Sequence, residues 1–327
     1  MKTRLAVIGS GFGLYGLLPA FQQIAACEVV GLCGKSTPRL VDYCQKTSVP
    51  VFHDWRKMID TTKPDAIAVA VVPKHQYEIL QYALGRGISA FAEKPLCIDV
   101  AQAKELLQLA QSKKAANMVD FIFPEIPEWK KARELLHAGA IGEVKNISMD
   151  WHFLSHDIKN KIDGWKTKPE EGGGALSFFF CHVFHNLEFF LGPIDSFTSK
   201  LTYSSISINP GETGVHLEIK FQNGCTGEIH FDCASCEPAR HVLQFDGSAG
   251  KLVLENSTAT FTRFRLLKSD EPVAVEKPPL NPALDERVGI VQPLAERFIH
   301  WCQSGQSAKP DFTDGLRVQE LIQQARG

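Results

Sequence analysis

The stretch VIGSGFGLYG, Val7 to Gly16, constrains the fold more than any other part of the chain. It follows the short apolar run LAVI, which ends at Ile8, and leads into LYGLLPAFQQIA, whose apolar residues recur at helical spacing. Strand, glycine-rich turn and helix in that order suit a dinucleotide, because the tight turn delivers the pyrophosphate to the exposed N–H groups and positive dipole end of the helix. Two frames compete. Gly11, Gly13 and Gly16 fit G-x-G-x-x-G on paper, but that loop would start two residues late and leave Gly16 inside the helix. The other frame makes Gly9 the turn residue and Gly11 the close-approach residue. Phe12 and Gly13 are then the variable pair, and Leu14 takes the helix-packing position. The second frame is adopted here. It implies that Gly16→Ala is tolerated, since alanine is the better helix former.

The end of the second strand bears on cofactor choice. NAD sites usually place an acid there to bond the ribose 2′-hydroxyl. This chain reads GLCGKSTPR, with Gly34 at that point followed by Lys35, Ser36 and Arg39. Loss of the carboxylate removes a repulsion, and two cations and a hydroxyl suit a 2′-phosphate. NADP is therefore expected as cofactor, with NAD possible.

The remainder of the first 120 residues alternates near-continuous apolar runs (EVVGLCG, AIAVAVV, ISAFAE) with amphipathic segments of helix length. That rhythm predicts an α/β fold: a doubly wound parallel Rossmann sheet covered on both faces. Asp99 stands as N-cap of a further helix. After Asp120 the pattern changes. A helix ending at Gly139 precedes a run of alternating strands from about Asp195 to Leu267, the last being TATFTRFRLL, and a helix follows from about Val288 to Ser304. A nucleotide-binding domain over 1–120 and an α+β substrate domain over 121–327, built on a large, mostly antiparallel open sheet, are expected.

Composition sets the outer limits. A formal net charge of −2 over 327 residues gives no electrostatic reason to expect nucleic acid or an anionic membrane as partner. No apolar run approaches the roughly 20 residues that span a bilayer. The first strand begins almost at once, so no signal peptide is expected, and nine cysteines with scattered spacing suit reduced thiols in a cytoplasm.

AEKPL, at Ala92 to Leu96, follows the fourth strand-like run. Together with the N-terminal loop it resembles the glucose-fructose oxidoreductase and inositol dehydrogenase (Gfo/Idh/MocA) family, and the resemblance covers essentially the whole chain. VPKHQYEILQYALGRG looks like the family's Pro-x-His segment, and GAIGEV, GGGAL and KPDFTDGLRVQELI match further family positions in order. The resemblance implies an NAD(P)-dependent oxidoreductase that moves a hydride between nicotinamide and a carbinol or carbonyl carbon of a sugar, cyclitol or sugar derivative. It assigns Pro73, His75, Glu93 and Lys94 to the cofactor site. Lys94 inherits the role of acid-base group or electrostatic clamp at the substrate oxygen. A homodimer or homotetramer through the C-terminal sheet is also implied.

One departure stands out. Family dehydrogenases usually read like G-G-G-x-L-x-D-x-G-x-H, whereas this chain reads GGGALSFFFCHVFH. His182 matches, Phe178 replaces the aspartate, and His185 stands where many members have a second aspartate. On an α-helix residues 178, 182 and 185 share a face. His182 is the expected partner of Lys94 in orienting the substrate or sharing the proton, and Phe178 transfers none. Trp151, Trp165 and Lys166, with His152, His156 and Asp157 nearby, are candidates to line a polyol site with Phe178, His182 and His185. The alternative reading is a dinucleotide-binding sensor of the same fold that is weakly active or inactive. His230, Cys233, Cys236 and His241 include a C-x-x-C, but a single pair is more often two ordinary cysteines, and no metal is expected.

Overall fold

The computed structural model describes residues 1–258 and 260–327. The chain divides into two compact units, and they are not contiguous in sequence. The first comprises Met1–Ile122 and Pro279–Gln319; the second comprises Phe123–Pro278 and Glu320–Gly327.

The first unit alternates strand and helix: β1 (Thr3–Ile8), α1 (Leu18–Gln22), β2 (Cys27–Cys33), α2 (Pro38–Lys46), β3 (Val51–Phe52), α3 (Trp55–Thr62), β4 (Ala66–Val69), α4 (Pro73–Gly85), β5 (Ser89–Ala92), α5 (Val100–Lys113) and β6 (Asn117–Val119). All its strand pairs are parallel, in the order β3-β2-β1-β4-β5-β6. That is the doubly wound dinucleotide order, whose sites form at the carboxyl ends of the strands. Every residue of β4 is fully buried, as a strand covered on both faces must be. The sequence expectations hold closely here; Asp99, for example, accepts a hydrogen bond from the N–H of Gln102 at the start of α5.

The second unit opens with α6 (Pro127–His137), β7 (Val144–His152), α7 (His156–Lys159) and α8 (Cys181–Leu191). The strands β8 (Ile194–Thr202), β9 (Gly214–Phe221), β10 (Thr226–Asp232), β11 (Arg240–Gly247), β12 (Gly250–Asn256), β13 (Arg265–Lys268) and β14 (Glu271–Pro272) follow. They form one sheet in the order β14-β13-β12-β11-β7-β10-β9-β8, antiparallel except for the β7–β10 pair. Alternate residues point into the core, among them Ile147, Leu217, Phe231, Phe245 and Leu254, and α8 lays Phe190 against Phe245 with ring centroids 5.0 Å apart. The strand expected over TATFTRFRLL is shorter than its pattern suggests. Only Arg265–Lys268 is strand; Thr258 and residues 260–264 are irregular, and Ala259 lies outside the described residues.

The chain then returns to the first unit through α9 (Val288–Ser304) and the start of α10 (Phe312–Arg326). Aromatic packing explains the return. Phe298 of α9 meets Phe91 of β5 at 5.7 Å and Phe21 of α1 at 6.3 Å, and Phe21 meets Phe91 at 5.3 Å. Edge-to-face rings at these separations add to the burial of their large apolar surfaces. No helix among the described residues is long and apolar enough to cross a membrane.

Candidate active site

The glycine-rich turn adopts the frame that starts at Gly9. Gly9 has φ +134°, and a Cβ there would stand 2.1 Å from the carbonyl oxygen of Ala70, so only glycine fits. At Gly11 no atom lies within 4 Å of a would-be Cβ, so the space over the turn is open to an approaching group. Residues Gly13–Leu17 are wound as a π-helix ahead of α1. Gly16 lies inside the helical segment, but the tolerance expected of Gly16→Ala does not follow. A Cβ there would come within 2.2 Å of the Phe12 ring, which lies across it.

Gly34 is also a packing position. A Cβ would stand 2.6 Å from Cβ of Ser10 and 3.0 Å from its nitrogen, so the glycine lets the second strand approach the turn. Lys35, Ser36 and Arg39 are exposed beside it, and Thr37 caps α2. The Nδ1 of His53 lies 2.9 Å from the carbonyl of Gly34, a neighbour that no sequence motif marks. The guanidinium of Arg39 lies 5.1 Å from the ring centroid of Tyr15. A second cation comes from the returning segment: Arg287 lies 4.5 Å from the centre of the Phe12 ring and 5.6 Å from that of Tyr15. Asp285 holds it as a two-pronged clamp, Nε to Oδ1 at 2.8 Å and Nη2 to Oδ2 at 2.9 Å. Burial works to raise the Asp285 carboxyl, but the Arg287 fork outweighs it and keeps the group below its ordinary range.

The Glu-Lys-Pro segment leaves β5 at the carboxyl end of the same sheet. Lys94–Pro95 is a cis peptide, and the N–H of Lys94 donates to Oε2 of Glu93 at 2.9 Å. The turn is held from α4. Gln76, fully buried, donates through Nε2 to the carbonyls of Glu93, Pro95 and Leu96 at 2.6, 3.1 and 3.2 Å. Pro73 is buried as the first residue of α4, whereas His75 is exposed on its first turn. Gln76, next to His75, therefore holds the turn that carries Lys94.

In the second unit the triple glycine ties two candidate segments together. The N–H of Gly174 donates to the carbonyl of Lys166 at 2.9 Å, that of Gly173 donates to Lys168 at 2.9 Å, and a Cβ on Gly173 would stand 2.0 Å from the carbonyl oxygen of Trp165. Buried Glu212 accepts from the N–H of Leu176 at 3.1 Å and from Nη2 of Arg326 at 2.8 Å, and it fills the space a side chain at Gly174 would need. Trp165, Lys166 and Phe178 consequently meet. The Trp165 and Phe178 rings are 5.2 Å apart edge to face, Nζ of Lys166 lies 5.4 Å from the Phe178 centroid, and the same Nζ pairs with Asp157 at 3.2 Å. His156 is exposed beside Asp157.

The segment Leu176–Phe180 is π-helical before α8 begins, so the residues after it do not keep simple α-helical register. His182 is buried against Phe123 with ring centroids 5.0 Å apart, while Phe178 and His185 are half-buried. Trp151 joins the two groups of rings: it meets Phe123, the neighbour of His182, at 5.7 Å and Phe179, the neighbour of Phe178, at 6.2 Å. It stacks on His241 at 4.3 Å with nearly parallel rings and meets Phe231 at 4.9 Å. The cysteine-histidine cluster is dispersed: Cys233 is buried with its thiol pushed up to about 12 by burial, Cys236 is exposed, and His230 bonds Asp150 at 3.3 Å. Among the described residues no group of three or more His, Cys, Asp or Glu is arranged to hold a metal ion.

A Rossmann sheet with an open glycine turn after β1, and a lysine at the carboxyl end of β5, two strands along, is the arrangement of a nicotinamide-dinucleotide oxidoreductase. The space at Gly11 and the cations beside Gly34 fit such a cofactor. The chain belongs to the Gfo/Idh/MocA oxidoreductase family: its NAD-binding Rossmann domain matches residues 3–121 and its C-terminal domain matches residues 129–253. An uncharacterised oxidoreductase of Synechocystis is 26% identical over 263 residues, covering 76% of this chain and 71% of the relative. Among solved structures, levoglucosan dehydrogenase in complex with NADH and L-sorbose is 18% identical with a TM-score of 0.83, covering 100% of this chain and 96% of that one. A 3-ketoreductase from Actinomadura kijaniata, in complex with NADP and TDP-benzene, is 20% identical with a TM-score of 0.80, covering 100% and 97%.

Proposed function

We propose that this oxidoreductase moves a hydride between the nicotinamide of NADP, with NAD as the weaker alternative, and a carbinol or carbonyl carbon of a sugar, cyclitol or sugar derivative. The observation that carries the reading is Lys94 at the carboxyl end of β5, held through the Gln76 hydrogen bonds in the sheet that also carries the Gly9–Gly11 turn. When bound, the nicotinamide supplies or accepts the hydride. Lys94 gives the substrate oxygen its proton on reduction and takes it on oxidation, and His182 orients the substrate or shares that proton. The Trp165 and Phe178 rings suit the apolar face of a sugar ring, and Lys166 suits its hydroxyls. Gly34, Lys35, Ser36 and Arg39 support the preference for a 2′-phosphate.

We assign the nucleotide role to residues 1–120 and the substrate role to 121–327, with the return through 279–319 serving the nucleotide side; Arg287 over Phe12 supports that exception. A homodimer or homotetramer formed through the eight-stranded sheet, in the cytoplasm, is part of the proposal, and nine free cysteines agree with a reducing compartment. The test is NADPH oxidation against a panel of keto sugars: L-sorbose, nucleotide-linked keto hexoses and keto-inositols. Oxidation with any of them supports the reading. Tight NADPH binding without turnover across the panel favours a nucleotide sensor.

A further inference from the structure

Asp120 stands one residue beyond β6 and has no part in the chemistry described so far. β5 and β6 run parallel with Ala92 opposite Val119, and the N–H of Asp120 donates to the carbonyl of Ala92 at 2.8 Å. Glu93 and Asp120 are therefore neighbours at the carboxyl ends of adjacent strands, and Lys94 follows directly. Asp120 is only 1% exposed, and neither of its carboxylate oxygens accepts a hydrogen bond from an N–H or hydroxyl among the described residues. A buried carboxylate left in that state is strongly disfavoured. Its acidic neighbour is Glu93, whose Oε2 already accepts from the N–H of Lys94. Two carboxyl groups side by side form a hydrogen bond only when one of them keeps a proton.

We propose that Asp120 carries that proton and donates it to the Glu93 carboxylate, and so acts as a positioning residue for Lys94. The inference rests on the hydride-transfer reading for its catalytic consequence, but not for the location of the proton. Three charged groups face Asp120: Glu93 and Lys94 from the end of β5, and Arg287 from the segment before α9. Burial first, and the Glu93 charge second, push the Asp120 carboxyl well above its ordinary range, with Lys94 and Arg287 opposing. Glu93 is raised by burial as well, but the adjacent lysine and its N–H counter this directly, so the pair keeps one negative charge and that charge sits on Glu93. Lys94 then faces a single carboxylate whose free lone pairs are fixed by Asp120. Two ionised acids there would place a second negative charge beside the ammonium, and two neutral ones would remove the carboxylate that it faces.

Two measurements test the proposal. Infrared difference spectra of the unliganded protein at neutral pH, wild type minus Asp120→Asn, are expected to show a protonated-carboxyl stretch that the variant lacks; its absence from the wild type overturns the proposal. The second readout is the pH–rate profile for reduction of the best keto sugar in the panel. Asp120→Leu removes the donor, so the buried Glu93 takes up a proton from solvent instead, and the alkaline limb should move to lower pH by about one unit. Asp120→Asn donates through its amide and should restore the limb, whereas NADPH affinity stays within about twofold in both variants. A limb displaced as far by Asp120→Asn as by Asp120→Leu would mean that Asp120 is ionised in the native site. If the panel yields no turnover, the functional reading fails while the infrared band still decides where the proton lies.

Discussion

Gly34 and Ser10 approach so closely that a side chain on the glycine would overlap the glycine-rich turn, with Cβ of Ser10 only 2.6 Å from where a new Cβ would stand. The absence of an acid at the end of β2 is thus enforced by packing. NADP(H) is expected to bind more tightly than NAD(H). Gly34→Asp is expected to weaken both cofactors rather than exchange one for the other, because it pushes the turn out of place. Fluorescence titration of both reduced cofactors against both proteins checks this, and a clean switch to NADH in the variant would refute the packing argument.

Gly11 and Gly16 should respond in opposite ways. Gly11→Val projects into open space, so its fold should keep wild-type stability while cofactor binding is lost. Gly16→Ala forces the Phe12 ring away from its seat beneath Arg287 and should cost about 1–3 kcal/mol of stability, as overpacking typically does. Denaturant unfolding and NADPH titration, run on both variants, separate the two effects.

Removal of Lys94 should slow the chemical step without loosening the cofactor. General acid-base groups are worth about a hundred- to ten-thousand-fold, and Lys94→Met is expected to fall in that range, with NADPH affinity nearly unchanged. Single-turnover kinetics with a keto sugar from the panel is the measurement. A Lys94→Met protein that turns over like wild type would refute the assignment.

His241 makes stability depend on acid. Burial depresses its imidazole from 6.5 to about 3, so the fold requires the neutral ring. A base depressed in this way contributes stability that is complete above its unfolded value and is lost as pH falls from about 6.5 towards 3. Each pH unit in that window is worth up to about 1.4 kcal/mol for one proton. His241→Phe retains a ring to stack on Trp151 and should flatten the unfolding free energy between those pH values. An unaltered slope in the variant would assign the acid sensitivity to other groups.

The local patterns along the chain were sufficient for the architecture. Buried runs such as LAVI and AIAV report strands covered on both faces, and the order strand, Gly9, Gly11, helix leaves little choice of site, because each is dictated by neighbours within a few residues. The place of Lys94 at the end of β5 was legible for the same reason, whereas its proposed role came from the resemblance of AEKPL to the family motif. What holds Lys94 was not legible. Gln76 reaches the Glu-Lys-Pro turn from 17 to 20 residues away, and Arg287 covers Phe12 only because Phe298 packs α9 against β5 and α1. The pairing of Glu93 with Asp120 depends on β6 lying beside β5, a register that no local pattern encodes. In the second unit, the π-helical turn at Leu176–Phe180 decided that Phe178 meets Trp165 while His182 packs on Phe123. Periodicity in a single chain reports which side of an element is buried. Which distant side chain meets it there is decided by long-range packing, and that exists only in the folded chain.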